Sequence, residues 1–307
     1  MSSTIIFDAV TKLYPAGRGA GSGTPAVDSF SARIEAGTTT VLLGSSGCGK
    51  TTLLRMVNRM VEPSSGAVLI DDEDIAARDA VALRRSIGYV MQNAGLLPHR
   101  RVIDNITLVP RLQGTDRRDC RKRALDLMDM LDLDRDLAGR YPHQLSGGQA
   151  QRVGVARALA ADPEVLLMDE PFGAVDPLVR RELQREMVRI QAELGKTIIF
   201  VTHDVDEALA LGDEIILLRE GAHIAQRGSG AELLAAPADD FVARFLGLDD
   251  AARQLRLKDV ADTRIVLDRA GRAVGRLSDD LVTSTGAGQT VQATEVVEAM
   301  KPAGKRA

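Results

Sequence analysis

The chain has 307 residues, 45% of them hydrophobic, and a net charge of −4 at pH 7. That length allows one large domain with a smaller appendage, and the charge balance excludes bulk binding to nucleic acid. Two cysteines, Cys48 and Cys120, exclude a disulfide framework and suit a reducing cytosol; no tryptophan and 3% aromatic residues exclude a stacking platform for bases or sugars.

The opening stretch MSSTIIFDAV lacks a basic segment followed by an apolar one, so it does not read as a secretory leader. Residues 4–10 and 27–34 alternate as two edge strands, separated by the Gly/Pro/Ser-rich loop PAGRGAGSGTP. TTTVLLG at 38–44 reads as a buried strand. KTTLLRMVNRM then places Leu53, Leu54, Val57 and Met60 at helical spacing. GAVLIDD and SIGYVMQ (86–92) are further strands, the latter ending in Gln92.

Residues 102–133 change character. RRDCRKRALDLMDMLDL is helical, with Leu125, Met128 and Leu131 on one core-facing stripe, and its basic start reads as a solvated face. VLLMDEP (strand), RRELQREMVRIQAELG (helix), TIIFVTH (strand) and VDEALALG (helix) follow. EIILLREG and HIAQRG then read as a terminal hairpin. Strands alternating with helices imply an α/β fold with a largely parallel sheet, interrupted by a helical insert. TRIVLDRAGRAVGRLS at 263–278 predicts a hairpin turning at 269–272, and KPAGKRA a disordered end. No apolar run approaches the roughly 18 residues a membrane span needs, so at a membrane another chain must do the spanning.

GSSGCGKT at 44–51 fits the phosphate-binding pattern G-x-x-x-x-G-K-[ST] between a strand and a helix. Gly44, Ser45, Ser46, Gly47, Cys48 and Gly49 turn backbone N–H groups around a phosphate. Lys50 reaches its terminal oxygens, Thr51 gives its hydroxyl to Mg²⁺, and Thr52 continues the helix N-terminus. Cys48 reads as a small residue that fits the loop, although a helix N-terminus can lower a thiol pKa. VLLMDE delivers Asp169 and Glu170 to a strand end, where ligands sit in parallel sheets. Asp169 can hold Mg²⁺ through water, and Glu170 can polarise an attacking water. His203 ends TIIFVTH on the same edge, able to bond a phosphate or hold Glu170, and Gln92 can contact metal or water. His143 and His223 read as surface residues.

A second, lysine-free turn stands in YPHQLSGGQAQR at 141–152. With it the residues spell a family. The order P-loop, Gln92, LSGGQ (145–149), VLLMDE, GAVD (173–176) and His203 resembles the ATP-binding subunits of ABC transporters, over residues 4 to about 247. LSGGQ beside a P-loop is close to diagnostic. The resemblance implies an α/β P-loop NTPase with an antiparallel β edge and a helical subdomain at about 95–160, within an ATP-binding domain at 1–248. It implies Tyr14 stacked on adenine, although the loop after it is longer than expected, and Asp176 in a loop between two subunits. It also implies a head-to-tail pair of copies closing around ATP, with Ser146, Gly147, Gly148 and Gln149 of one copy facing the P-loop of the other. Lys50 of that other copy then serves the phosphate, which is why the second turn has no lysine.

MVNRMVEPSSG (56–66), LRRSIGYVMQNAGLLPH (83–99) and RYPHQLSGGQAQRVGVARALAADP resemble the osmoprotectant importers, with Ala150 where glutamine is more usual. Those take up glycine betaine, carnitine, choline or proline. The resemblance implies a permease reached near Leu96 and Leu97, indirectly a solute-binding protein, and a peripheral place on the cytoplasmic membrane face. An importer for another solute, such as polyamine, sulfate or an amino acid, is the alternative. A soluble repair or translation ATPase is less well matched, because the chain has one P-loop, one LSGGQ and no coiled-coil insert. Relatives often carry two CBS sensing modules; residues 249–307 are too few for a pair. They form either a partial CBS-like remnant or a plain extension.

Overall fold

The computed structural model describes residues 2–14, 25–173, 176–248, 256–260, 263–267 and 273–276. Two compact units divide the chain, Met1–Ala225 and Gln226–Ala307.

In the first unit, β1 (Ile5–Lys12) and β2 (Val27–Ile34) pair antiparallel, Ile5 opposite Ile34. β3 (Thr39–Gly44) is buried at all six positions, as expected of a β-branched run inside a parallel sheet. It feeds α1 (Lys50–Val57). β4 (Ser65–Ile70) pairs with the other side of β1, and β5 (Glu73–Asp74) extends that sheet. The order β2-β1-β4-β5 puts β1 inside the sheet. The expectation of two edge strands therefore holds for β2 alone, because β4 covers the free edge of β1.

α2 (Ala80–Ser86) is capped by Asp79, whose side chain accepts from the Ala82 N–H. β6 (Ile87–Val90) follows. Next come α3 (Val102–Ile106), α4 (Leu108–Leu112), α5 (Arg117–Met130) and α6 (Gly147–Leu159), an all-helical excursion before β7 (Val165–Asp169) rejoins the sheet beside β6. α5 buries Cys120, Ala124, Leu127 and Met128, and Leu131 just past its end. Met128 and Leu131 of the predicted stripe are thus buried, while Leu125 is only half-buried and Ala124 and Leu127 fill the core in its place. α7 (Pro177–Leu194), β8 (Thr197–Thr202), α8 (Val205–Leu211), β9 (Glu214–Leu218) and β10 (Ile224–Gly228) complete the alternation. The larger sheet runs β10-β9-β3-β8-β7-β6, with β9, β3, β8, β7 and β6 joined by parallel pairs.

One core lies between this sheet, α1 and the antiparallel sheet. Phe7, Phe30, Leu42, Leu53, Leu54, Leu167 and Ile199 meet there, with Phe7 and Phe30 edge to face at 5.3 Å. Each such side chain contributes about 1.5–3 kcal/mol by leaving water. Met60, expected on the α1 stripe, is 56% exposed. α1 stops at Val57, and Arg59 turns the chain at φ 55°.

In the second unit, α9 (Gly230–Ala235) and α10 (Asp240–Phe245) precede an antiparallel sheet of β11 (Arg256–Val260), β12 (Thr263–Leu267) and β13 (Ala273–Arg276). β12 and β13 pair as the predicted hairpin. Its turn at 269–272 and the KPAGKRA end lie outside the described residues. No helix among the described residues is long and apolar enough to cross a membrane.

Candidate functional site

Parallel pairing brings three strand ends to one edge. Leu43 lies opposite Thr202 and Asp169 opposite Val201. The loop after Gly44, the acids ending β7 and His203 are thus neighbours because buried strands deliver them in register.

The loop at 45–49 is built for close backbone approach. A Cβ on Gly44 would lie 2.7 Å from the Leu218 carbonyl oxygen and 2.8 Å from Cys48 Sγ. Gly47 (φ 82°) and Gly49 (φ 112°) hold left-handed conformations that L side chains resist, and a Cβ on Gly49 would sit 2.5 Å from Ala26 O. Ser45, Ser46 and Gly47 face solvent, and Thr51 and Thr52 are half-buried. Lys50 is 4% exposed. Its Nζ donates to the carbonyls of Gly44 and Ser45, each at 2.7 Å, and lies 3.8 Å from Cys48 Sγ. The ammonium is already folded into the loop, where an anionic phosphate would replace neutral acceptors with charged ones. Cys48 is buried, its carbonyl accepting from Ala222 N–H at 2.7 Å, as a small residue filling the loop does.

Asp169 is 8% exposed and uses both oxygens. Thr51 Oγ1 donates to Oδ1 at 2.9 Å. The Tyr89 hydroxyl donates to Oδ2 at 3.2 Å, and Arg55 Nη2 stands 3.5 Å from the same atom. Burial, then the Asp169 charge, push the Tyr89 phenol above its ordinary range, so it is a donor at neutral pH.

Glu170 occupies φ 45°, costly for a residue with a side chain. Two backbone bonds hold it there: its N–H donates to Val201 O at 3.0 Å, and its carbonyl accepts from Gly173 N–H at 3.1 Å. The turned backbone sends the two acids in different directions. Oε1 of Glu170 lies 3.2 Å from His203 Nδ1, and Oε2 accepts from Gln92 Nε2 at 3.4 Å. Gln92, two residues past the end of β6, completes the group.

Behind His203, the buried Glu207 accepts the Thr202 hydroxyl at 2.6 Å. Burial pushes the Glu207 carboxyl up. Asp204 caps α8 by accepting from the N–H groups of Asp206 and Glu207, which fixes the turn carrying His203. Sequence reading missed Glu207, Tyr89 and Arg55. Faint signals existed: Arg55 follows Thr51 by one helical turn, and Tyr89 stands three residues before Gln92.

Ser146 caps α6 in a reciprocal box, accepting from Gln149 N–H at 3.2 Å while its own N–H donates to Gln149 Oε1 at 3.0 Å. Gly147 is exposed and Gly148 buried. Among the described residues no hydrogen bond or ion pair joins 146–149 to 44–52. Farther along α6, Gln151 Nε2 donates to Met91 O at 3.3 Å, and Arg157 donates to Gly95 O and Ala94 O at 2.6 and 2.7 Å. Tyr14 is 51% exposed with Lys12 Nζ 5.4 Å from its ring centre. Asp176 is exposed, its carbonyl accepting from Arg180 N–H, while Ala174 and Val175 of GAVD lie outside the described residues. Leu96 and Leu97 are half-buried, and His99, His143 and His223 are exposed.

The family model for ABC transporters matches residues 27–173. An osmoprotectant import ATP-binding protein of Salmonella typhimurium is 49% identical over 267 residues, 87% of this chain and 69% of that protein. The chain belongs to the ABC transporter family. Among other relatives of this ABC protein, a glycine betaine uptake system ATP-binding protein of Escherichia coli is 48% identical over 84% of the chain and 82% of its own length. A carnitine transport ATP-binding protein of Listeria monocytogenes is 48% identical over 79% of the chain, which spans only 59% of that relative. The fold matches a bacterial ABC transporter cassette solved as a dimer, with TM-score 0.66 and 33% identity, over 74% of this chain and 98% of that one.

Proposed function

We propose that this ABC protein hydrolyses ATP to energise an importer of compatible solutes: glycine betaine, carnitine, choline or proline. The observation that carries the catalytic part is Glu170 held between His203 and Gln92, one residue from the Asp169–Thr51 pair. The solute class rests on the names of the relatives. We take residues 1–248 as the ATP-binding domain and 249–307 as an extension.

The loop residues Gly44 to Thr52 cradle the phosphates, with Lys50 leaving the carbonyls of Gly44 and Ser45 for phosphate oxygens. Tyr14 is the adenine contact. Thr51 and Asp169 suit Mg²⁺, a hydroxyl and a carboxylate meeting at 2.9 Å being hard oxygen donors for a hard cation, with Gln92 in reach of the same space. Bound there, the ion neutralises charge on the phosphates. Glu170 accepts the proton of the attacking water, His203 orients Glu170 and the terminal phosphate, and Gln92 limits the swing of the carboxylate.

Ser146 and Gly147 of LSGGQ are exposed, and among the described residues no hydrogen bond or ion pair ties 146–149 to the P-loop of the same chain. A second copy supplies the phosphate partner: Ser146 and the N–H groups of Gly147 and Gly148 meet ATP held on the P-loop of that copy. Transport needs a membrane-spanning permease and, indirectly, a solute-binding protein, with this chain on the cytoplasmic face. Uptake of labelled glycine betaine and proline in a strain deleted for this chain tests the solute: both fall if the reading holds, and unchanged uptake of both overturns it.

A further inference from the structure

One carboxylate of the site is gripped from three sides. Thr51 and Arg55 stand four residues apart on α1, so they share a helix face. That face meets Asp169 with both residues: Thr51 Oγ1 is 2.9 Å from Oδ1, and Arg55 Nη2 is 3.5 Å from Oδ2. From the sheet side comes Tyr89. It lies opposite Leu167 in the parallel pairing of β6 with β7. Leu167 and Asp169 are two apart on one strand and so point to one face. Tyr89 therefore reaches along that face to Oδ2, at 3.2 Å.

A carboxylate on a short stem rotates freely unless its oxygens are held. Here the two oxygens have different neighbours. Oδ2 is taken by the Tyr89 O–H and faced by the Arg55 guanidinium, whose positive charge keeps a second cation from that oxygen. Oδ1 is left beside the hydroxyl of Thr51. We infer that Tyr89 and Arg55 are positioning residues that lock the Asp169 carboxylate so that Oδ1, with Thr51, faces the nucleotide-bound magnesium. The inference rests on the reading of Thr51 and Asp169 as the magnesium-holding pair. Outer partners of metal-holding carboxylates commonly change metal affinity by about 10–100-fold, while direct contact with the nucleotide is left to other residues.

The test separates metal from nucleotide. Binding of the fluorescent analogue mant-ATP is measured in EDTA and across a Mg²⁺ titration, for the wild type, Tyr89→Phe, Arg55→Gln and Asp169→Asn. Tyr89→Phe removes one oxygen and keeps the ring. Its affinity for mant-ATP in EDTA should match wild type, while the Mg²⁺ concentration giving half of the magnesium-dependent tightening rises about tenfold. Arg55→Gln should shift the same curve by less, because its contact is longer and 46% of its side chain is exposed. A wild-type Mg²⁺ curve in Tyr89→Phe, with the response lost in Asp169→Asn, overturns the positioning role and spares the metal assignment. An equal loss of mant-ATP binding with and without Mg²⁺ makes Tyr89 a general structural residue and also overturns it. A normal Mg²⁺ response in Asp169→Asn removes the metal assignment and this inference together.

Discussion

Arg157 reaches from α6 to the carbonyl of Ala94, 2.7 Å away, and ties the helix that starts with LSGGQ to the loop that follows Gln92. A second bond from the same guanidinium goes to Gly95 O. Gly154, one turn earlier, lies so close that a Cβ would stand 3.3 Å from the Ala94 backbone. Burial holds the guanidinium below its ordinary range, and Arg157 Nη1 and Nη2 are both spent on these carbonyls. Arg157→Ala leaves the two carbonyls unanswered. Bonds to a charged donor are worth about 1.5–3 kcal/mol, so in a unit of this size unfolding should come roughly 3–12 °C lower, read by differential scanning fluorimetry. Turnover should fall with it, since Gln92 loses its support. An unshifted melting temperature would remove this tie.

Glu170→Gln keeps the size of the side chain and deletes the carboxylate proposed as the base. Mant-ATP binding should stay near wild type, and phosphate release should fall about 10²–10⁴-fold. His203→Ala removes the neighbour 3.2 Å from Glu170 Oε1 and should cost a similar order in turnover with binding retained. Steady-state phosphate assays on both variants decide the matter. Wild-type turnover in Glu170→Gln would end the catalytic assignment.

What could be read from the chain alone follows from how local each requirement is. The P-loop needs particular backbone conformations at Gly47 and Gly49, and the α6 cap needs Ser146 with Gln149 three residues on, so both are written contiguously. Gln92, Glu170 and His203 follow the ends of three different strands, yet a parallel sheet predicts that strand ends converge, and they do. Glu207 and Arg157 left no local signal and Tyr89 and Arg55 only a faint one, because their roles depend on cross-strand register and helix seating. The interior place of β1 was hidden for the same reason: its second partner, β4, lies some 60 residues downstream. Met60 shows the opposite limit, since a helical apolar pattern can outrun its helix.

Glu207 should make stability pH-dependent in a definite direction. Its folded carboxyl titrates above the ordinary value, chiefly through burial. The folded state therefore holds this proton more tightly than the unfolded chain. That contribution is full below the ordinary carboxylate pKa and is lost as pH rises through the raised value. Glu207→Gln cannot lose it. The melting temperature of Glu207→Gln relative to wild type should climb between pH 4 and pH 8. A relative climb of the wild type instead would contradict the assignment.

The LSGGQ cap separates local stability from assembly. Removing the Ser146 hydroxyl deletes one cap bond, worth about 1 kcal/mol, and touches nothing at 44–52 within the same chain. Gly148 is buried at the first turn of α6. Ser146→Ala and Gly148→Asp should thus bind mant-ATP as monomers with near-normal affinity. Combined with Glu170→Gln, which should halt hydrolysis, they should also fail to form the ATP-dependent dimer expected of Glu170→Gln alone. Size-exclusion chromatography with and without ATP reads this directly. A carboxylate placed where phosphate must approach is repelled as well as too large, so Gly148→Asp should be the more severe, with turnover at least about tenfold lower. Dimers that form equally well with Gly148→Asp would show that LSGGQ does not face a second copy's nucleotide.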